Sequence, residues 1–495
     1  MPELATHDNG RHWPLPLKRI GRWLTTVTHY MNHQRTPIYP LNVWLCVLVL
    51  SIVKFASTIL LAYPWPKLLA AAVCRYHYEN KFSNPHMDPP NSVCASGEVT
   101  MHFEYMMDLL NISSSLASIV VQIPMGILVD RGNRRLAFTL NIISIVLYWG
   151  SILISGLVPV FPLWCFYLSP VLLLLGGGPF VTGTLVCSTI SNSVKPRHRT
   201  TVFSLAEALS VIWNCFEPTL MTSTMTIPLW LSFMITIVMH ALLFIPAYYL
   251  TEDDNASLED DLLLEVSVFR DEVEPLLDAS DILGREVIDS NQYIKGGLTS
   301  KLTILTVCFV CFFLVNFATG SMGFMFSWIF WRIPEIWSEI KLLSYLRAIV
   351  ASPLFFIVLP LALRRLDRTM HFAKRDLVLS TAGIACAAVG TLLASFASNI
   401  VVILIAFVIT LLGLVMSVAL RSFLTSNVEN QFSGRLFAGI SMTETIGSLV
   451  GAPIMHNAYT PDGLPFAVSM ASYLLVCGLL VWLARKVQGH TVRLD

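Results

Sequence analysis

The sequence predicts an all-α membrane protein of twelve transmembrane helices in two six-helix halves. Three observations carry that reading. Of 495 residues, 55% are apolar and 13% charged, where a soluble domain carries roughly 25% charged residues. Apolar runs of spanning length, about 18 residues or more, recur along the chain. An acidic stretch, 251–300, divides them six from six. Lipid offers no water to backbone N–H and C=O groups, so such runs must be helices.

In order, the runs are 41–63, 108–129, 136–157, 163–187, 200–221, 228–250, 302–329, 342–363, 377–397, 400–424, 435–457 and 465–484. The first six make an N-terminal half, 41–250, and the last six a C-terminal half, 301–484. Residues 1–40 are polar and carry Arg11, Lys18, Arg19, Arg22 and Arg35. They lack a short apolar core with a cleavage site, so they read as a cytosolic tail and not a signal peptide. Residues 485–495 form a second tail. Basic residues gather in the first tail, at 131–135, 195–199 and 364–375, and at Arg485 and Lys486. The intervening connections are poor in Lys and Arg, so both termini are expected in the cytosol. The plasma membrane is the expected location, a vacuole the alternative. Zero formal net charge gives no electrostatic case for nucleic acid.

The dividing stretch holds fourteen carboxylates and few aromatics. That composition favours a solvated linker with short amphipathic pieces such as 262–269. Most of the ten cysteines lie in apolar runs, where Cys is a small packed hydrophobe. Cys74 and Cys94 instead fall in 64–107, read as a long outward loop. An oxidising face permits a disulfide between them, with two free thiols as the alternative. Asn111-Ile-Ser113 is a glycosylation sequon close to the second run.

Between the second and third runs stands Gly126-Ile-Leu-Val-Asp130-Arg131-Gly132-Asn133-Arg134-Arg135. It matches the turn motif G-x-L-A-D-R-x-G-R-R at Gly126, Leu128, Asp130, Arg131, Arg134 and Arg135. The chain thereby resembles the major facilitator superfamily of secondary transporters. The resemblance implies two similar halves about an axis normal to the membrane, a monomer, and an inner gate in which Asp130 meets the start of helix 11. The motif's second glycine is displaced, and Asn133 is expected to tolerate the left-handed bend. A weaker echo, Leu361-Ala-Leu-Arg364-Arg365-Leu-Asp367-Arg368, lies between the eighth and ninth runs.

The fifth run carries Ser204, Glu207, Ser210, Asn214 and Glu217 at three- and four-residue spacing, on one helix face. Ionisable groups inside a membrane are costly and face a cavity or a partner. Glu207 falls near the midplane, where substrate sites of such folds lie. A carboxylate buried there holds a proton more readily than one in water; a structural acid is the alternative. Arg347 in the eighth run stands at about the depth of Glu217. The two are read as a pair, either an outer gate or an anion site, with Lys54 as a rival partner for Glu217. In the eleventh run Ser441, Glu444 and Ser448 share a face, and Glu444 is a second protonatable acid. Gly439, Thr443, Gly447 and Gly451 form a separate stripe for close helix packing. Gly176-Gly-Gly-Pro179 in the fourth run is read as packing, with a hinge as the alternative. His240 is read as structural.

Further stretches are similar to a fungal branch of the superfamily, itself distantly similar to the proton-coupled folate transporter. They are Cys74-Arg-Tyr-His-Tyr78, Arg199-Thr-Thr-Val-Phe203, Leu346-Arg347-Ala, Lys374-Arg-Asp376-Leu, Ala419-Leu-Arg421-Ser422, and the stretch from Glu444 to Pro453. Asn192 departs from that branch, which tends to carry Asp there. No Cys stands in 330–341, so the folate transporter's bridge between halves cannot form, and folate is not inherited as substrate. The expected function is secondary active transport of a small organic solute, import or efflux, including efflux of a secondary metabolite. Protons are the expected coupling ion, from Glu207 and Glu444. The partners are then a small-molecule substrate, protons and the lipid bilayer, with no cofactor and no metal. No enzyme motif such as H-E-x-x-H or a P-loop occurs. The alternative is a non-transporting membrane sensor that signals through the acidic central loop.

Overall fold

In the computed structural model the described residues are 40–82, 94, 96–158, 161–250, 301–320, 340–397, 399–457 and 464–491. The 1–39 tail and the acidic linker, with its expected amphipathic pieces, lie outside them. Every regular element among the described residues is helical. The first half begins with α1 (Leu41–Ala62), prolonged by Pro64–Phe82. Next come α2 (Gly97–Asp130), α3 (Arg134–Leu157) and α4, which runs Cys165–Leu172, then a tight turn Leu173–Leu175, then Gly178–Ser193. It closes with α5 (Pro196–Thr224) and α6 (Leu229–Leu242, prolonged by Phe244–Tyr249).

The second half opens with α7 (Lys301–Gly320). Then α8 runs Ile340–Pro353, through a wide turn at Leu354–Val358, to Leu359–Asp367. It continues with α9 (Phe372–Phe396), α10 (Ile400–Leu411 and Val415–Ser426), α11 (Ser433–Asn457) and α12 (Leu464–Thr491). Ten of these spans are long and apolar enough to cross a membrane. The remaining two, α5 and α11, are the helices that carry the polar stripes. Contacts across the halves run along α2–α11, α5–α8, α4–α11 and α5–α10. They are extensive enough that Leu41–Asp495 clusters as one unit.

The region 64–107, expected as a loop, is largely helical. Trp65, Leu68, Leu69 and Val73 of the α1 extension bury an apolar face against Val99 and Met106 of α2, Trp149 of α3, Phe166 of α4 and Phe233 of α6. That burial makes the extension a helix although it lies beyond the first apolar run. Cys74 and Cys94 are joined by a disulfide there, Cα atoms 5.1 Å apart. For the same reason α2 starts at Gly97 and not near 108. Asn111 is consequently exposed but helical, so the sequon sits in a rigid rod and not in the loop such acceptors usually occupy. At the other end α12 continues to Thr491, past the expected boundary, with the Lys486 ammonium 5.1 Å over the Trp482 ring. The seventh run was expected to reach 329; its part beyond Gly320 lies outside the described residues.

The glycines of α4 make a true break. Gly177 and Gly178 take φ of +77° and +65°, which side chains other than glycine rarely adopt. The carbonyls set loose are captured. Asn141 of α3 donates from Nδ2 to Gly176 O (2.8 Å) and Gly178 O (2.7 Å), and Ser118 of α2 donates to Gly177 O (2.9 Å). Thr182 donates to Asn141 Oδ1 (2.8 Å), and the Gly178 N–H reaches Ser144 Oγ (3.2 Å). The small stripe of α11 is a packing face. A Cβ on Gly447 would lie 2.5 Å from the Phe313 carbonyl oxygen of α7, and one on Gly439 3.0 Å from the Phe309 ring. His240 is fully buried, its Nδ1–H donating to Thr236 O at 2.8 Å.

Replacing Asn141 with Leu is expected to strand two buried carbonyls, at about 1–3 kcal/mol each. The melting midpoint of the purified protein in detergent should fall clearly. An unchanged midpoint would mean that the break is satisfied another way.

Candidate functional site

The turns at 131–133, 195–199 and 364–375 gather at one end of the bundle, called here the basic end. There the Asp130 carboxylate, at the last residue of α2, meets the first turn of α11. The Gly434 N–H donates to Oδ1 at 2.6 Å and the Arg435 N–H to Oδ2 at 3.1 Å. The Arg435 guanidinium adds an ion pair at 3.4 Å. A helix N-terminus has unsatisfied N–H groups and a partial positive charge, so a carboxylate there is favourable by about 0.3–1 kcal/mol, more when shielded from water. The Asp130 side chain is only 3% exposed. Gly126 permits the approach: a Cβ there would lie 2.6 Å from the Gly434 carbonyl oxygen. Higher up the same seam Gln122 Nε2 donates to Ser441 Oγ at 3.0 Å.

The motif's bend falls on Gly132, with φ of +87°. Asn133 keeps a negative φ of −83° and precedes α3, so the left-handed angle expected of Asn133 belongs to its glycine neighbour. Arg134 is buried at the start of α3. Arg135 donates from Nε to Leu250 O at 2.7 Å and lies over the Tyr248 ring, tying the turn to the end of α6. Arg131 is exposed.

A second lock joins α5 to the other half, and most of its members were not singled out as site residues. Arg199 of α5 is 2% exposed. It donates to Val194 O (3.1 Å), to Thr425 O at the end of α10 (3.0 Å) and to Asn430 Oδ1 (2.8 Å). Thr200 donates to the Asp376 carboxylate of α9, 2.9 Å to Oδ2, and lies 2.9 Å from Ser422 Oγ of α10. Arg375 reaches Asp376 Oδ1 (2.7 Å), Asp367 Oδ1 (2.5 Å) and Thr200 Oγ1 (2.9 Å). Arg197 completes it, 3.7 Å from Asp367. Asp367 is thus to the start of α5 what Asp130 is to the start of α11. The faint echo of the turn motif was the signal for it.

Deeper than the locks, the decisive residue is Arg421, five residues before the end of α10. Its Nη2 donates to Glu444 Oε1 of α11 at 2.6 Å, both side chains being about one-fifth exposed. Glu207 of α5 also acts electrostatically on Arg421, and all three charges act on the half-buried Cys187 of α4. Glu207 therefore shares the electrostatic surroundings of Arg421, and Glu444 is held in an ion pair. Glu207 and Glu444 each stand eleven residues after the first residue of their helix. Ser204 donates to Thr201 O (2.7 Å) and Ser448 to Glu444 O (3.1 Å), both within their own helices.

Arg347 is half-buried on α8, and its Nε is enclosed without a hydrogen-bond partner among the described residues. The helices α5 and α8 pack together. The side chains of Asn214 and Glu217 lie outside the described residues, and with them the expected Glu217–Arg347 pair. Lys54 of α1 is exposed, and its neighbour Phe55 meets Trp213 of α5, ring centroids 4.7 Å apart. Among the described residues no cluster of three His, Cys, Asp or Glu side chains is arranged to hold a metal.

The family model of the Major Facilitator Superfamily matches residues 99–452. The chain is 22% identical over 460 residues to the MFS transporter SAT21 of Stachybotrys chartarum, covering 86% of this chain and 94% of that one. It is 22% identical over 436 residues to the MFS efflux pump atnC of Emericella nidulans, covering 84% and 83%. The human organic anion transporter MFSD10 (TETRAN) superposes with a TM-score of 0.62 at 15% identity, over 90% of this chain and 100% of that one. The E. coli fucose:proton symporter FucP does so with 0.58 at 12%, over 91% and 99%. At these identities the structural likeness carries the fold alone.

Asp130→Asn should loosen the α2–α11 seam while leaving the helices intact. One acceptor oxygen and the charge are lost, so the expected cost is about 1 kcal/mol or more. A cysteine placed at Leu436 should then react faster with a membrane-impermeant maleimide applied to the basic end. Equal labelling rates would remove the gate role of Asp130.

Proposed function

This chain belongs to the Major Facilitator Superfamily, and from that premise we propose that it moves a small organic solute by alternating access with protons as the coupling ion. Its relatives are described as an MFS transporter and an MFS efflux pump; the coupling is read from the charged groups around Arg421. Arg421 is one cation that pairs with Glu444 and also feels the charge of Glu207. With both acids ionised these three residues hold an uncompensated negative charge where water is scarce, at a desolvation cost of several kcal/mol. One proton on either acid removes that cost. Helices α5 and α11 bring the two acids to matching depth from opposite halves, so a proton there can bias the bundle between its two arrangements.

The basic end is proposed as the cytosolic end by its Lys and Arg content. Both locks are shut there, which corresponds to the stage of the cycle in which solute is reached from outside. The proposed division is a tail 1–40, a half 41–250, a linker 251–300, a half 301–484 and a tail 485–495, working as a monomer in the plasma membrane. Efflux of an organic metabolite is the favoured direction, supported by the relative described as an efflux pump. Contact of α5 with α8 supports Glu217 and Arg347 as a pair near the outer end.

The direct test is flux in proteoliposomes carrying an imposed pH gradient, screened against a metabolite library. Glu207→Gln should flatten the pH dependence of that flux while leaving the Arg421–Glu444 pair in place. Wild-type pH dependence in this variant would shift the proton site to Glu444.

Neutralising either Glu217 or Arg347 should reduce flux strongly, and the swap Glu217→Arg with Arg347→Glu should recover part of the loss. Strictly additive effects on flux and on thermal stability would mean that the two charges act independently. Lys54 would then be the better partner for Glu217.

A further inference from the structure

At the end of the bundle opposite the locks, two imidazoles face each other. His77 lies on the α1 extension and His102 on α2. Nε2 of the first is 2.9 Å from Nδ1 of the second, with ring centroids 5.1 Å apart and planes crossing at 81°. The Tyr76 ring stands edge-on to both, at 5.8 and 5.9 Å. His77 is three residues beyond Cys74, whose disulfide anchors the extension to Cys94. Past that covalent tie, the imidazole pair joins the end of the extension to α2.

The bond has a narrow chemistry. One ring must present an N–H and the other a lone pair. A neutral pair satisfies this. One added proton keeps the bond and makes it charge-assisted. A second proton leaves two N–H groups pointing at each other, with like charges at 2.9 Å. The charge acting on His102 is that of His77. Among the described residues, the other titratable groups on these segments include Tyr76, Arg75, Tyr78 and Glu79 on the extension, and Glu98, Glu104, Tyr105 and Asp108 on α2, with Tyr105 acting on Tyr167 of α4. α3 and α6 meet the extension through Tyr148, Trp149 and Phe233. None of these is a carboxylate bonded to either ring.

We propose that His77 and His102 form a proton-binding latch: near neutral pH it holds the α1 extension to α2, and the second proton, bound in acid, releases it. The linkage sign follows. In the closed latch the second proton is disfavoured, whereas free histidines take it up near pH ~6.5. The open form therefore binds more protons, and closure is fully favoured above that pH and lost progressively below it. His102 and Asp130 stand on one continuous helix, 28 residues and about 42 Å apart. Release therefore acts on the outer end of the same helix that caps α11. If the basic end is cytosolic, the latch reads external acidity.

The test is amide hydrogen exchange of the purified, disulfide-intact protein between pH ~7.5 and ~5, corrected for the intrinsic pH dependence of exchange. Protection over 70–82 should fall several-fold in acid, while that of α3 stays level. His77→Gln and His102→Gln keep a neutral hydrogen-bonding side chain, and each should remove most of the acid response. Wild-type protection that does not respond to pH would overturn the latch, as would an undiminished acid response in either folded variant. The wild-type profile decides alone if neither variant folds. The readout involves no transport, so it fails or succeeds independently of the proposed coupling.

Discussion

A polar group within the bilayer has no water to turn to, so each must be answered by another part of the protein. That constraint shapes every feature described above. The break in α4 exists because Asn141, Ser118 and Ser144 capture the groups it frees. The start of α11 can be drawn against α2 because Asp130 takes its free N–H groups. Arg199 and Arg375 are tolerated in near-complete burial because each has several oxygens within reach. Removing any one of these partners exposes a cost of a kind that apolar packing cannot recover.

The two locks follow one plan with different chemistry. In each, a carboxylate at the end of one helix meets the start of another across the halves: Asp130 with α11, and Asp367 with α5. The first relies on backbone N–H groups and a glycine contact at Gly126, which need little rearrangement to separate. The second is a side-chain network, in which Asp376 and Arg375 also engage Thr200 and Ser422. Opening it uncovers several buried charges and hydroxyls together, so it behaves as a cooperative unit. Glu207 and Glu444 stand deeper along α5 and α11, the helices that both locks hold.

Parts of this site were legible in the sequence. The turn motif located Asp130 because its residues are consecutive and its partner is a helix start. The stripes of α5 and α11 were legible because period 3.6 places Glu207 and Glu444 on faces with other small polar residues. Arg421, Arg199 and Asp376 stood in quoted stretches without a role. Each lies near a run's end, where a charge usually meets solvent, and their partners come from other helices, such as Thr200 and Asp376, 176 residues apart. Asn141 gave no signal at all, since a single Asn in an apolar run reads as tolerance. The α1 extension was misjudged because its apolar residues are too few for a span, and their burial depends on four other helices.

The sequence by itself determined the class of the protein. Run length, charge scarcity and the basic turns are local properties, and lipid leaves helices as their only solution. It likewise determined which helices are polar, since that is a matter of composition. The tertiary structure alone decided which charges share a site. Whether Glu444 is free or paired depends on where α10 places Arg421, and whether His77 meets His102 depends on how far two helices rise beyond their apolar runs. Such pairings are set by packing between segments distant in the chain, and spacing along one helix carries no information about the face of another.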